Sequence, residues 1–214
     1  TCANGSKQRQ YLKEYESVAS PTIGLESLMT TLLIGAHEGR KFISFDVPGA
    51  FLQAEMAEDK LVLLKLKGEF VDMMCKINPE FKPHVRYETS RSGKQIKVLY
   101  MKVIRAIYGC IKAALQWYIM FTGTLKVLGY ELNPYDKCVA NKWINGKQCT
   151  IVWYVDDVKI SHKEDSVVRD IVSQLEGEFG ELEPTYGKTQ EYLGIKFHTD
   201  QNKILHIDMR DQIS

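Results

Sequence analysis

The chain has 214 residues, which is long enough for one large domain or two small domains around a buried core. Hydrophobic residues make up 44% and charged residues 26%, as in ordinary globular proteins, and the net charge of +1 does not by itself indicate a nucleic-acid partner. The five cysteines form no C-x-x-C pair and no apolar run is long enough to cross a bilayer, so a zinc site, a disulfide framework and a membrane partner are not expected. We therefore expect an intracellular protein with reduced cysteines, and composition does not distinguish the cytoplasm from the nucleus.

The first half of the chain predicts a polar arm, one helix and several strands. Residues 1–20 lack periodicity and predict an extended arm or loop. From Leu25 onward apolar residues recur at helical spacing, and Gly39 suits the left-handed position that follows a helix. Strands or hairpins are predicted at 41–47 ahead of a Pro-Gly turn, at 61–67, and at 85–103 around a Ser-Gly turn.

The second half predicts two helices and several antiparallel strands. A long helix is predicted over 108–128, ended by Gly129, and a second amphipathic helix over 165–179. Asn145-Gly146 is a strong hairpin signal because both positions of such a turn tolerate positive φ. Strands are predicted at 137–144, 148–154 and 158–161, and in a last hairpin at 192–198 and 203–207. The order of elements predicts an α+β domain, in which helices cover one face of an antiparallel sheet and leave the other face for a ligand.

A basic stretch runs from Arg86 to Lys112. It contains seven basic residues and one acidic residue, Glu88, for a local charge of +6. Such a stripe can track phosphates, because neutralising a nucleic-acid backbone releases counterions. A solvated, lysine-rich hairpin explains the same composition equally well.

Three aspartates are candidates for a metal-dependent site. Asp156 and Asp157 are predicted to share a tight turn between two strands, and Asp46 ends another strand. Two-metal nucleotidyl transfer uses divalent ions about 3.5–4 Å apart, and magnesium takes hard oxygen ligands. An aspartate pair in a turn is weak evidence alone, since aspartate is common in turns. Here, however, the flanking strands are apolar, so a cation would relieve the repulsion between adjacent acids.

Four short blocks give the chain a resemblance to a known family. Tyr154-Val155-Asp156-Asp157 resembles the Y-x-D-D signature of reverse transcriptases. Residues 46–52 (DVPGAFL) are similar to the D-V-x-x-A-F-L block of copia-type elements. Residues 106–118 (AIYGCIKAALQWY) resemble the L-Y-G-L-K-Q-A-P-R-Q-W-Y helix, and residues 192–195 (YLGI) the F-L-G-I block. Together these blocks identify the chain as similar to the reverse transcriptase domain of copia-type LTR retrotransposons.

The resemblance implies an RNA-directed DNA polymerase that adds dNTPs to a primer 3′-hydroxyl by two-metal nucleotidyl transfer, within a retrotransposon polyprotein. The implied catalytic residues are Asp46, Asp156 and Asp157. Asp46 and Asp156 would bridge two Mg²⁺ ions, for which Mn²⁺ can substitute, and the backbone carbonyl of Val47 would be a further ligand. Asp157 would support the ion that activates the primer hydroxyl. Lys188 is a candidate general acid for pyrophosphate.

The resemblance also implies contacts with substrates, namely an RNA or DNA template with its primer and dNTPs. The backbone N–H groups of Gly49 and Ala50 would face the triphosphate. Phe51 would exclude a ribose 2′-hydroxyl, although an ordinary core phenylalanine is an equal alternative. Contacts with the primer terminus or nascent base pair are implied at Tyr108, Gly109 and Val155, and a primer grip at Tyr192, Leu193 and Gly194. Trp117 and Tyr118, by contrast, are expected to pack in the core.

The implied organisation is a partial fingers subdomain at 1–40 and a palm at 41–214, with a fingers insertion at about 60–110 and no thumb or ribonuclease H. Other polyprotein segments are expected partners. Residues 110–115 lack the usual Gln, Pro and Arg of the family block, so contacts made by those side chains do not carry over. Lys7 and Arg9 are the nearest substitutes for basic residues that grip the triphosphate.

Two other classes of function remain open at this point. A catalytically silent derivative would bind only nucleic acid or a protein partner. An unrelated two-metal cyclase or nuclease would share the three acids but would not account for the blocks around Tyr108 and Tyr192.

Overall fold

The computed structural model describes residues 3–11, 18–56, 61–90, 92–187 and 189–210. The helices in these ranges are α1 (Leu25–Glu38), α2 (Ala50–Gln53), α3 (Glu69–Ile77), α4 (Ala113–Val127) and α5 (Asp165–Phe179). The strands are β1 (Lys41–Asp46), β2 (Leu63–Lys67), β3 (Arg86–Thr89), β4 (Gln95–Lys102), β5 (Glu131–Leu132), β6 (Val139–Ile144), β7 (Lys147–Tyr154), β8 (Asp157–His162), β9 (Thr189–Tyr192), β10 (Ile195–Thr199) and β11 (Leu205–Asp208). None of the helices in this described part has the length and hydropathy of a membrane span.

The central sheet is antiparallel and has the strand order β1-β8-β7-β6-β5. Along one of its faces, Trp153 of β7 meets Phe121 of α4 with ring centroids 5.2 Å apart. Phe179 of α5 packs against Phe121 at 5.8 Å and against Trp117 at 5.2 Å. Aromatic pairs at these separations contribute about 0.5–1.5 kcal/mol beyond their buried area. The predicted α+β class, with helices packed on an antiparallel sheet, is confirmed.

The opposite face is covered over most of its area. Arg40 reaches across it to donate a hydrogen bond to Thr150 at 2.9 Å. Gly35 of α1 lies directly over the ring of Phe42, and Phe197 of β10 meets that ring edge-on at 5.7 Å. The face is therefore not open along its whole length, as the sequence led us to expect, and remains accessible mainly at the end that carries the aspartates.

A fully buried lysine lies within this covered face. The ammonium of Lys159 is 4.6 Å from the ring centre of Phe42 and 6.0 Å from that of Phe197. Burial, and then the charge of Arg40, lower the pKa of Lys159 to about 7. The two rings provide cation–π stabilisation for a charge that lacks water around it.

Helix α1 begins and ends as its sequence predicts. Leu28 and Leu32 are buried on one side, at the spacing of an amphipathic helix. Gly39 has a φ of 70° and donates its N–H to the carbonyl of Ala36, which ends the helix in the left-handed conformation.

Helix α4 is shorter than predicted, because it begins at Ala113 rather than at residue 108. Gly109 has a φ of 91°, which no α-helical residue adopts, so residues 108–112 form turns instead. The end of α4 is as predicted, since Gly129 follows it with a φ of 85°. The prediction of an extended N-terminal arm is also wrong for Gly5–Tyr11, which form a 3₁₀ helix. This segment is held by the turn after residue 107: the N–H of Ala3 donates to the carbonyl of Tyr108 at 2.7 Å.

The two-residue turns fix the hairpins. Asn145 and Gly146 both have positive φ (51° and 70°), so the predicted β6–β7 hairpin is confirmed. The single strand predicted at 192–198 is wrong. Leu193 and Gly194 have φ of 53° and 74° and form a second tight turn, which divides the segment into β9 and β10. With β11 these strands make a three-stranded sheet in the order β11-β10-β9.

A third sheet, in the order β2-β4-β3, includes the predicted hairpin around Gly93. Helix α3 covers one of its faces, and Val71, Cys75 and Leu99 form a small core separate from the main one. This unit falls inside the range predicted as a fingers insertion. Its assignment to the fingers, like the other domain boundaries, stays a prediction.

The contact between α1 and β1 can be tested at Gly35. A Cβ atom there would lie 2.3 Å from Cζ of Phe42, whose ring is held by its neighbours. We expect Gly35→Ala to lower the free energy of unfolding by about 1–3 kcal/mol, because the helix must move away from the sheet. Gly177→Ala on α5 is the matched control. Its Cβ meets nothing within 4 Å, so it should stabilise the protein by about 0.5–1 kcal/mol. Urea unfolding measures both, and equal effects of the two variants would contradict the close approach.

Candidate active site

The three predicted catalytic aspartates lie together at one end of the central sheet. Asp46 is the last residue of β1 and pairs in register with Asp157, the first residue of β8. Asp156 precedes it in the turn between β7 and β8. The prediction that both Asp156 and Asp157 occupy this turn is wrong. Because Tyr154 pairs with Asp157 and closes the hairpin, the turn consists of Val155 and Asp156 alone.

The backbone of this turn is strained. Val155 has a φ of 57°, whereas Asp156 is not among the residues with positive φ, a combination that matches a type II′ turn. A β-branched residue with positive φ is a genuine outlier, and such a conformation costs about 1–3 kcal/mol unless its surroundings impose it.

Three successive carbonyls, two in the turn and one on the first residue of β8, each accept a hydrogen bond from a different part of the chain. The indole N–H of Trp117 on α4 donates to the Val155 carbonyl at 2.6 Å. The backbone N–H of Val47, after β1, donates to the Asp156 carbonyl at 3.0 Å. The hydroxyl of Tyr192 on β9 donates to the Asp157 carbonyl at 3.0 Å. The turn is therefore fixed from three sides.

Burial, and then the charges of neighbouring carboxylates, raise the pKa of Asp46 and of Asp157. For Asp157, burial raises the pKa and the charges of Asp156 and Asp46 add to the shift. For Asp46, burial again comes first and the charge of Asp156 second. Tyr108 donates its hydroxyl to Oδ2 of Asp156 at 3.2 Å, and burial followed by the charge of Asp156 raises the pKa of this phenol.

The donor set fits a hard divalent cation. Three carboxylates meet at one sheet end, two of them with pKa values raised by burial and mutual repulsion. Among the described residues, no three or more His, Cys, Asp or Glu side chains are arranged as a cage that could hold a metal ion. Magnesium does not require such a cage, because it usually takes one or two carboxylates and completes its shell with water and substrate phosphates.

A cleft of about 500 Å³ opens beside Asp46 and Asp157. Its other lining residues are Ser44, Phe45, Pro48, Glu183, Thr185, Glu191, Tyr192, Leu193 and Gly194. Glu183, Thr185 and Glu191 were not expected here, because they come from segments without a periodic pattern. Thr185 is brought to the cleft by its N–H, which donates to the carbonyl of Ser44 at 2.8 Å.

The residues expected to bind the nucleotide lie around α2. Gly49 precedes this helix with a φ of 62°. Ala50 is fully buried, and its N–H donates to the carbonyl of Val47 at 3.2 Å. The prediction that Ala50 presents its N–H to a triphosphate would require this bond to break. The Val47 carbonyl, which has a second lone pair, keeps the capacity to bind a metal. Phe51 packs against Tyr108 with ring centroids 4.5 Å apart, beside Asp156.

The predicted primer grip has one buried member. Tyr192 is buried and its hydroxyl is committed to the Asp157 carbonyl, so it anchors the β9–β10 hairpin rather than facing solvent. Leu193 and Gly194 form the turn of that hairpin and line the cleft. Gly109 lies in the exposed turn after Tyr108.

The basic stripe is partly neutralised by neighbouring groups. Lys97 forms an ion pair with Asp72 of α3 at 2.7 Å, and Arg105 donates to the carbonyl of Leu52 at 3.3 Å. Lys188 and Arg91 lie outside the described residues, as do the side chains of Lys7 and Arg9. The proposed roles of these four residues stay predictions.

The raised pKa of Asp157, caused by burial and then by the neighbouring carboxylates, predicts that the stability of the fold depends on pH. Because the folded pKa of Asp157 is raised above the usual 3.8, the folded state holds this proton more tightly than the unfolded state. Stability should therefore fall as pH rises from that value through the raised pKa. In EDTA, urea unfolding of Asp157→Asn should show a smaller loss of stability across this window than the wild type.

Asp200→Asn is the control with the opposite sign. The backbone N–H of Ile204, with further donors, lowers the pKa of Asp200. This residue stabilises the fold above the unfolded pKa, and the effect is lost as pH falls through the folded pKa. Asp200→Asn should therefore be destabilised at neutral pH. An Asp157→Asn curve that parallels the wild type at every pH would contradict the raised pKa of Asp157.

The chain was compared with known proteins. A reverse transcriptase (RNA-dependent DNA polymerase) family model matches residues 82–214. The Retrovirus-related Pol polyprotein from transposon TNT 1-94 of Nicotiana tabacum is 24% identical over 188 residues, which cover 86% of this chain and 12% of the relative. The chain thus spans a small part of that polyprotein.

Two solved structures of telomerase from Candida tropicalis show a weak similarity. The apo form truncated from its C-terminal domain has 9% identity and a TM-score of 0.46, covering 93% of this chain and 43% of that one. The complex with the TWJ fragment of telomeric RNA has 8% identity and a TM-score of 0.48, covering 96% and 36%. Similarities at this level support no argument about function. The family match, which extends over more than half of the residues, is decisive: the chain belongs to the reverse transcriptase (RNA-dependent DNA polymerase) family, as its four sequence blocks predicted.

Proposed function

We propose that this chain is the catalytic core of an RNA-directed DNA polymerase, with the central sheet as its palm. The observation that carries the proposal is the in-register pairing of Asp46 with Asp157 beside Asp156, in a chain of the reverse transcriptase family. The reaction would be addition of a dNTP to a primer 3′-hydroxyl, directed by an RNA or DNA template. The other segments of a retrotransposon polyprotein would be its partners, as the Pol polyprotein relative suggests.

The residues of the chain would bind and orient the reactants. The Val155–Asp156 turn would meet the primer terminus, and Leu193 and Gly194 would hold the primer strand across the cleft that they line. Phe51 and Tyr108, whose rings pack together beside Asp156, would lie against the sugar and base of the incoming nucleotide. Gly49 would turn its backbone toward the triphosphate, since a residue with positive φ can form an anion-binding concavity.

Asp46 and Asp156, with Asp157 and the Val47 carbonyl, would hold two Mg²⁺ ions, or Mn²⁺ in their place. Bound ions would supply positive charge that favours the ionised primer hydroxyl and stabilises the triphosphate. The raised pKa values of Asp46 and Asp157 support this assignment, because like charges at one site favour a cation.

A primer-extension assay tests the proposal, with labelled dNTPs on an RNA template. The chain should be assayed alone and within a longer polyprotein chain. Asp156→Asn should reduce extension by at least about a hundredfold, because the site loses a charge that acts on the reacting groups. Asp170→Asn, on the exposed side of α5, is the matched control and should extend normally. Absence of product from the longer wild-type chain would overturn the proposal and favour a catalytically silent derivative.

Sugar selectivity tests the assignment of Phe51. Replacing its ring in Phe51→Val should admit ribonucleotides and lower the discrimination against them about tenfold or more, because the steric barrier to the 2′-hydroxyl is removed. Phe51→Tyr keeps a ring at the same place and should retain selectivity. The measurement is the ratio of kcat/KM for dNTP and rNTP, and an unchanged ratio in Phe51→Val would leave the residue as part of the core only.

A further inference from the structure

We propose that Trp117 is a positioning residue: its indole N–H holds the strained Val155–Asp156 turn in the conformation that places Asp156. This role is additional to the core packing expected for Trp117 from its helical spacing. The inference rests on the proposed function only where it assigns a function to the turn. The hydrogen bond and the strain are features of the fold itself.

The acceptor of the Trp117 hydrogen bond is a peptide group that controls the direction of Asp156. The Val155 carbonyl belongs to the peptide unit between Val155 and Asp156. Rotation of this unit changes ψ of Val155 and φ of Asp156 together, and so alters the backbone conformation from which the Asp156 side chain projects. Because Val155 has a φ of 57°, which a β-branched residue avoids, the turn would relax toward other conformations without a restraint. A donor 2.6 Å from the carbonyl supplies that restraint.

The donor itself is held in place by its surroundings. Trp117 is 1% exposed, and its ring packs against Phe121 at 5.4 Å and Phe179 at 5.2 Å. Close packing leaves the indole few other orientations. The N–H therefore points at the turn from a rigid helix, as a positioning group must.

Val47 and Tyr192, which also hold the turn, act on other peptide units. Val47 binds the Asp156 carbonyl and Tyr192 binds the Asp157 carbonyl, so both restrain peptide units that follow Asp156. Among the described residues, Trp117 provides the hydrogen bond to the peptide unit that precedes Asp156.

Trp153 shows that burial of an indole in this core does not require such a bond. It is also 1% exposed and packs against the same Phe121 at 5.2 Å. Its indole N–H has no acceptor among the described residues. Trp117 and Trp153 are equally buried and share Phe121 as a neighbour, but within the described part of the chain only Trp117 makes the indole hydrogen bond, so Trp153→Phe is the control for loss of an indole from this core.

The test uses hydrogen exchange of the Val47 amide, which donates to the Asp156 carbonyl and reports the order of the turn without any metal. The Tyr130 amide, bonded to Leu125 at the far end of α4, serves as the reference for overall stability. In Trp117→Phe, exchange at Val47 relative to Tyr130 should be about tenfold faster, because a buried acceptor has lost its donor. In Trp153→Phe this ratio should be unchanged. Equal ratios in the two variants would overturn the proposal and leave Trp117 as packing alone.

A second variant keeps the proposal falsifiable if Trp117→Phe does not fold. Glycine adopts positive φ without penalty, so Val155→Gly removes the strain that the indole restrains. Adding Val155→Gly to Trp117→Phe should restore most of the protection of the Val47 amide. If the double variant is as disordered as Trp117→Phe, strain at Val155 is not what the donor opposes and the proposal fails.

Mn²⁺ binding separates this inference from the proposed function. In calorimetry, Trp117→Phe should weaken Mn²⁺ binding about tenfold relative to Trp153→Phe, through the displaced Asp156. If the wild type binds no Mn²⁺ and extends no primer while the exchange ratios behave as expected, the proposed function fails and the positioning role stands. If Mn²⁺ binds to both variants with equal affinity, the indole does not position Asp156.

Discussion

The strained turn between β7 and β8 is the constraint on which the candidate site depends. Its two residues leave no freedom in register, because Tyr154 and Asp157 are already paired in the sheet. A turn this short requires positive φ at its first position, and here that position is Val155. The placement of Asp156 is therefore a property of the hairpin, and any element that holds the hairpin also determines where the carboxylate lies.

The elements that hold this hairpin come from both faces of the central sheet. The aromatic layer between α4, α5 and β7 fixes Trp117 on one face. On the other face, the β9–β11 sheet packs on β1 through Phe197 and Phe42, and it supplies the Tyr192 hydroxyl. β1 contributes both Asp46 and, just after it, the Val47 N–H. The site thus lies where the side chains packed on both faces of the central sheet meet the edge strand β1.

The sequence predicts the helices, strands and turns that depend on periodicity or on the backbone preference of one residue. The α1 and α5 helices and the Asn145-Gly146 turn are of this kind, whereas the three aspartates were expected together because of the sequence blocks that contain them. It fails where a positive φ interrupts a regular pattern, as Gly109 does before α4 and Leu193 does between β9 and β10. It also fails where a buried side chain has a second role. Helical spacing places Trp117 in the core, but it cannot identify the acceptor of its indole, since that lies in a turn 38 residues away.

Two features at this end of the sheet lower the stability of the folded state. Burial and repulsion between carboxylates raise the pKa of Asp46 and Asp157. Val155 occupies a backbone conformation that β-branched residues avoid. Glycine at this position would remove the strain and, with it, the need for a donor that opposes relaxation of the turn. A β-branched residue has fewer alternatives, so a single hydrogen bond from a rigid indole can select one of them. The strain at Val155 and the hydrogen bond from Trp117 thus act together. The backbone of Val155 is stiff, and it places Asp156 only because the fixed indole opposes its relaxation.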